Sequence, residues 1–183
     1  MARRPRKRVA KRRLGRRSTR SAQPQRRLGS LAPRRLNNLP AQLTTFIGRK
    51  KEIEEVKELL ASARLLTLTG AGGVGKTRLA LRIAADVLDQ YADGAWFVDL
   101  APLGDPTFVP NSVAAALDIP GQATRSLVDT LAKYLRTRSL LLVLDNCEHL
   151  HTACQSLADT LLRASASLRI LATSREALGV EGK

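Results

Sequence analysis

The sequence predicts an α/β protein built on a parallel sheet, and three observations carry that expectation. Short apolar runs alternate along the chain with segments of helical periodicity. A glycine-rich octet, Gly70-Ala71-Gly72-Gly73-Val74-Gly75-Lys76-Thr77, stands between one such run and one such segment. A later apolar run, Leu140–Leu144, ends on a single carboxylate, Asp145.

Taken in chain order, Glu52–Ala63 places Ile53, Val56, Leu59, Leu60 and Ala63 at helical spacing. Leu65–Thr69 is an apolar run bounded by glycine and reads as a buried strand. Arg78–Leu88 reads as a helix with Leu79, Ile83 and Val87 on one face and Leu81, Ala84, Ala85 and Leu88 beside them. Ala95–Leu100 is a second strand, with Trp96 and Phe97 expected in the core. A Pro/Gly-rich loop, Pro102–Pro110, follows it. Helices are expected at Asn111–Leu117 and Ser126–Arg136, a third strand at Ser139–Leu144, a helix at Ala153–Ala164 and a fourth strand at Leu168–Ala172. The third strand is apolar on both faces, as strands of covered parallel sheets are.

The net charge of +15 is local. Residues 1–36 hold 15 of the 31 Arg and Lys and none of the 16 acids, so residues 37–183 are neutral. That composition predicts a disordered Arg-rich tail at 1–36 and a folded domain at 37–183. The tail reads either as an electrostatic arm for nucleic acid or anionic lipid, or as a solvated leader with no specific partner. No apolar run is long enough to span a membrane. The two cysteines, Cys147 and Cys154, form a poor disulfide frame, which favours a reducing, cytoplasmic compartment. With His149 and His151 they match no structural zinc spacing. Tyr91 and Tyr134 carry no readable role.

The octet meets the Gly-x4-Gly-Lys-Thr pattern of a phosphate-binding loop through Gly70, Gly75, Lys76 and Thr77, in the required strand–loop–helix context. Glycines let the backbone turn its amides onto phosphate oxygens, and the helix N-terminus adds partial positive charge. Lys76 is expected to reach the β- and γ-phosphates, and the Thr77 hydroxyl to ligate Mg²⁺. Asp145 is the expected partner of that metal, with a helix cap as the alternative. Asn146 follows where many hydrolytic relatives carry a second acid. An amide cannot take a proton from water, and Glu148 is the nearest substitute base, so slow hydrolysis at best is expected. At the fourth strand's end, Arg175 is expected to sense the γ-phosphate through charge-assisted hydrogen bonds, against the alternative of a surface arginine following a Thr173 or Ser174 cap.

Phe46-Ile47-Gly48-Arg49, the octet at 70–77, Leu140–Leu150 and Ala172-Thr173-Ser174-Arg175-Glu176 together resemble the STAND class of P-loop ATPases. More narrowly they resemble the NB-ARC-like domains of bacterial regulators, including large LuxR-type ATP-binding transcription factors. The resemblance spans about residues 37–182. It implies the three-layer P-loop NTPase sandwich and a signal-transduction switch, ADP-bound when off and ATP-bound and oligomeric when on. It implies adenine as the base, with Phe46, Ile47, Gly48 and Arg49 near adenine and ribose. Gly70, Ala71, Gly72, Gly73, Val74, Gly75, Lys76, Thr77 and Arg78 are implied around the phosphates, Asp145 at the metal and Arg175 at the γ-phosphate. Family members have the strand order 5-1-4-3-2 and continue into helical, winged-helix and sensor modules. A chain ending at Lys183 is therefore expected to be truncated, with Leu65–Thr69 left as an apolar sheet edge.

Overall fold

The computed structural model describes residues 37–41, 48–120 and 126–179, all within the unit Arg34–Lys183. The predicted tail at 1–36, with Phe46 and Ile47, lies outside them. Four parallel strands form one sheet: β1 (Leu65–Thr69), β2 (Ala95–Asp99), β3 (Leu141–Asp145) and β4 (Arg169–Ser174), in the order β1-β4-β3-β2. Among the described residues five α-helices accompany them: α1 (Lys50–Ser62), α2 (Lys76–Asp86), α3 (Val109–Ala116), α4 (Leu127–Leu135) and α5 (His151–Ala164). This is the α/β P-loop NTPase fold, and its order is the one the resemblance implies for these four strands.

Side-chain alternation sorts the core into two layers. On one face Leu141 and Val143 of β3 and Leu171 of β4 pack with Ile53, Val56 and Leu60 of α1 and with Leu79, Ala80, Ile83 and Ala84 of α2. On the other, Leu142 and Leu144 of β3 and Ile170 and Ala172 of β4 meet α3, α4 and α5 through Val113, Leu131, Leu135, Leu157 and Leu161. All five residues of β3 are buried, because helices cover both of its faces. β1 is an edge among the described strands, and four of its five residues are half-buried.

Several boundaries differ from the sequence expectation. Leu59 is 52 % exposed, because the stripe Ile53, Val56, Leu60 already occupies the inward face of α1. α3 starts at Val109, with Pro110 in its first turn, where the missing N–H removes no helical hydrogen bond. α2 stops at Asp86 and passes into a 3₁₀ turn, Leu88–Gln90. β4 runs on to Ser174, carrying two hydroxyl residues into the sheet where a cap was the alternative. Trp96 and Phe97 are half-buried on β2, packed against opposite core layers.

The outer edge of β2 is closed by a side chain. The Asn38 amide donates to Phe97 O at 2.8 Å and accepts from Phe97 N at 2.6 Å, replacing a neighbouring strand at that residue. Asn37 bridges to Ala95 just before it. Arg64, between α1 and β1, donates to Leu162 O and Ser165 O, carbonyls at the α5 C-terminus that have no helical partner. No helix among the described residues is long and apolar enough to cross a membrane.

Candidate nucleotide site

α2 leaves β1 along one face of the sheet, and α5 leaves β3 along the other. Where crossovers depart to opposite faces of an open parallel sheet, the carboxyl ends of the strands open a crevice. The octet, Asp145 and the end of β4 all sit at those carboxyl ends.

The octet forms the turn from β1 into α2. Gly73 has φ 78° and Gly75, the residue capping α2, has φ 87°, a left-handed region that a Cβ disfavours. A Cβ built at Gly72, Gly73 or Gly75 would meet no heavy atom within 4 Å, so no other part of the described chain packs against these glycines there. The first α2 hydrogen bond runs from Leu79 N to Gly75 O at 3.0 Å. The amides of Lys76 and Thr77 precede it and have no carbonyl one turn back within the helix. The Lys76 ammonium spans the loop, donating to Gly70 O at 2.8 Å and Ala71 O at 3.0 Å. Arg49, itself left-handed at φ 54°, donates from its guanidinium to Val74 O at 2.9 Å and pairs with Glu52 at 3.5 Å. That contact ties the start of α1 to the octet. Arg78 is exposed on α2, and Gly48 lies with Arg49 just before α1.

The Thr77 hydroxyl lies 2.8 Å from Asp145 Oδ1 and 2.9 Å from Oδ2. Sixty-eight residues separate them in the chain, and the sheet brings them together. Asp145 is only 2 % exposed, so its carboxylate is held by named donors. The Thr173 hydroxyl donates to Oδ1 at 2.6 Å, and Asn146 Nδ2 donates to Oδ2 at 2.9 Å. The Asn146 amide thus serves Asp145 itself.

Glu148 and Arg175, expected as base and sensor, face each other, with Arg175 Nε 3.8 Å from Glu148 Oε1. Arg175 is 71 % exposed in its side chain and Glu148 23 %. Glu148 Oε2 and Ser174 Oγ are buried without a hydrogen-bond partner among the described residues. Two histidines brace the surrounding loops: His149 Nε2 contacts Leu103 O at 2.8 Å and His151 Nε2 contacts Ala177 O at 3.0 Å.

Two hard oxygen donors beside a loop of amides fit a magnesium-bound polyphosphate, since Mg²⁺ takes one or two protein oxygens and completes its shell with phosphate and water. Among the described residues no group of three or more His, Cys, Asp or Glu could hold a metal on its own. Cys147 and Cys154 are free and buried. The hydrogen bond between them and burial hold the Cys147 thiol well above the usual thiol range, which leaves it a poor nucleophile.

Sequence reasoning did not find the roles of Thr173 and Asn38. The available signal for Thr173 was parity: it lies two residues from Leu171, on the same face of β4 as the octet's helix. Asn38 left no signal, because an amide serving a strand edge has no spacing rule.

Comparisons with known proteins bear on the fold and the family. An uncharacterised protein of Mycobacterium tuberculosis is 46 % identical over 141 residues, covering 77 % of this chain and 36 % of its own length. A second protein of that organism, provisionally named an HTH-type transcriptional regulator, is 48 % identical over 128 residues, covering 70 % of this chain and 14 % of its own. The regulatory protein AfsR of Streptomyces griseus is 34 % identical over 150 residues, covering 75 % and 15 %. The chain therefore spans about a third or less of these relatives. Among solved structures, a STAND protein with a tetratricopeptide repeat sensor from Pyrococcus horikoshii superposes with TM-score 0.56 at 16 % identity, over 79 % of this chain and 23 % of that one. Cdc6p of Pyrobaculum aerophilum superposes with TM-score 0.54 at 18 % identity, over 75 % and 41 %. These two likenesses show the shared fold. The AAA domain family profile matches residues 59–179, which include the octet, Asp145 and Arg175. The chain belongs to the AAA domain family.

Proposed function

We propose that residues 37–183 form an ATP- and ADP-binding switch with slow or no hydrolysis, of the STAND, NB-ARC-like kind, working within a transcriptional regulator. The observation that carries this reading is the 2.8 Å contact between Thr77, at the start of α2, and Asp145, at the end of β3, beside the glycine loop. In this reading the octet amides and the α2 N-terminus bind the phosphates. Lys76 exchanges the carbonyls of Gly70 and Ala71 for β- and γ-phosphate oxygens. Thr77 and Asp145 hold Mg²⁺, which when bound neutralises phosphate charge. Gly48 and Arg49, the latter anchored on Val74, are assigned to the adenine–ribose side, as the resemblance implies for the segment Phe46-Ile47-Gly48-Arg49.

Slow hydrolysis follows from two features. Asn146 donates to Asp145 and offers no base, and Glu148 is paired with the arginine expected to sense the γ-phosphate. Such a site holds its nucleotide long enough to report a state, and ATP-dependent self-association belongs to the same reading. The names of the HTH-type and AfsR relatives support the regulatory setting, and free buried cysteines suit a reducing cytoplasm.

The test is melting with and without MgADP and MgATP, alongside a turnover assay. Both nucleotides should raise the melting temperature, and turnover should stay far below the median enzyme rate of about 10 per second. Turnover at or above that rate would reject the switch. A second reading, favoured by the acid-free basic composition of residues 1–36, makes that segment an arm for nucleic acid. It expects DNA binding that weakens steeply with salt and disappears when residues 1–36 are deleted.

A further inference from the structure

Resting on the nucleotide-site reading, we propose that Thr173 is a positioning residue that sets the carboxylate of Asp145 for Mg²⁺. The Thr173 hydroxyl joins two strands where their backbone pairing stops. The β3–β4 register ends at Leu144 with Ala172, one residue short of Asp145 and Thr173. Beyond that point the threonine side chain continues the connection. Its Oγ1 accepts from Asn146 N at 3.0 Å and donates to Asp145 Oδ1 at 2.6 Å. Thr173 is 1 % exposed, so water cannot substitute for either bond.

The consequence is rotational. An aspartate side chain has two free torsions, and a metal ligand must hold both while a small octahedral ion is placed between it and the phosphates. Thr77 touches both carboxylate oxygens and is itself the proposed second ligand, so it cannot fix the carboxylate independently. Asn146 reaches Oδ2 alone, from a left-handed backbone at φ 61°. Thr173 fixes Oδ1 from the neighbouring strand and steadies the Asn146 backbone with the same oxygen. Groups that orient a ligand in this way raise metal affinity without touching the metal.

The experiment measures nucleotide affinity across a Mg²⁺ titration and in EDTA, for wild type, Thr173→Val, Thr173→Ser and Lys76→Ala. Valine keeps the shape and deletes the hydroxyl. The expected result is a rise of about tenfold in the half-saturating Mg²⁺ concentration for Thr173→Val, the lower end of such orienting effects. Its affinity in EDTA should stay within about twofold of wild type, a change of under ~0.5 kcal/mol. Thr173→Ser should restore the Mg²⁺ dependence. An unchanged Mg²⁺ dependence in Thr173→Val, or equal losses with and without Mg²⁺, overturns the assignment, the second pattern being that of a merely structural residue. If the valine variant does not fold, Thr173→Cys, with a weaker donor, should show the same selective loss, and its absence overturns the assignment. Wild type that binds no nucleotide in either condition rejects the underlying site reading and this assignment with it. Lys76→Ala separates the cases, since it should lose affinity for the Mg²⁺-bound nucleotide while Thr173 is intact.

Discussion

At the residue scale, one ammonium and one carboxylate carry most of the proposed chemistry. Lys76 is held by two carbonyls of its own loop, both of which it can exchange for phosphate oxygens without leaving α2. A hydrogen bond to a charged group contributes about 1.5–3 kcal/mol, so Lys76→Ala should weaken MgATP binding roughly 10- to 100-fold, with far-UV circular dichroism unchanged. Binding within a few-fold of wild type in a titration would contradict the role. Asp145→Asn removes the negative charge but keeps the size. It should abolish the gain in nucleotide affinity that Mg²⁺ provides, leaving affinity in EDTA nearly as before; a retained Mg²⁺ gain would remove Asp145 from the metal site. Both residues were legible in the sequence, because a phosphate loop and an acid at a strand's end are fixed by residue type and spacing. Thr173 was legible only as a possible cap and Asn146 only as an amide in place of a second acid, and neither reading included the bond between them. Their partners depend on the register of β3 against β4, which no local pattern encodes.

At the element scale, the four strands and five helices stand in the order their apolar periodicities indicate, and the differences concern ends and turns. The 3₁₀ turn Pro106–Phe108 lies inside the expected Pro/Gly-rich loop, since three residues offer too short a window for a period. Strand edges make the strongest structural prediction. Asn38 satisfies both backbone groups of Phe97 on β2, so Asn38→Ala leaves a half-buried donor and acceptor without partners. The expected cost is about 1–3 kcal/mol in urea denaturation, with MgATP affinity unaltered, because β2 contributes no residue to the proposed nucleotide contacts. Arg64→Ala should cost about 1–2 kcal/mol, since it exposes two α5 carbonyls to a partly dry surface and removes a cation from the helix's negative end. A variant as stable as wild type would show that water replaces the guanidinium there.

At the scale of the whole molecule, stability is linked to protons and to nucleotide. Cys147 and Tyr91 both hold their protons more tightly when folded, the thiol through the Cys154 hydrogen bond and burial, the phenol through burial that outweighs the nearby Arg169. The unfolded chain releases the Cys147 proton near about pH 8.5 and the Tyr91 proton near about pH 10, whereas the folded chain retains both; the same hydrogen bond shifts the Cys154 thiol the opposite way. The contribution of Cys147 and Tyr91 should therefore be constant below about pH 8.5 and be lost as pH rises above it, where Cys154 is already deprotonated in both states, a decline that urea midpoints above about pH 8.5 would follow. Midpoints that hold steady or rise would contradict the buried-thiol description. Nucleotide acts in the opposite direction. A ligand at about 100 times its dissociation constant that binds only the folded state adds about 2.7 kcal/mol.

The most direct measurement is a calorimetric titration of MgATP and MgADP into the folded chain and into Lys76→Ala. One site per chain is expected for each nucleotide in wild type, with a large loss of affinity in the variant. No heat with either nucleotide in folded, magnesium-supplied protein, or equal binding by Lys76→Ala, would contradict the proposed nucleotide site.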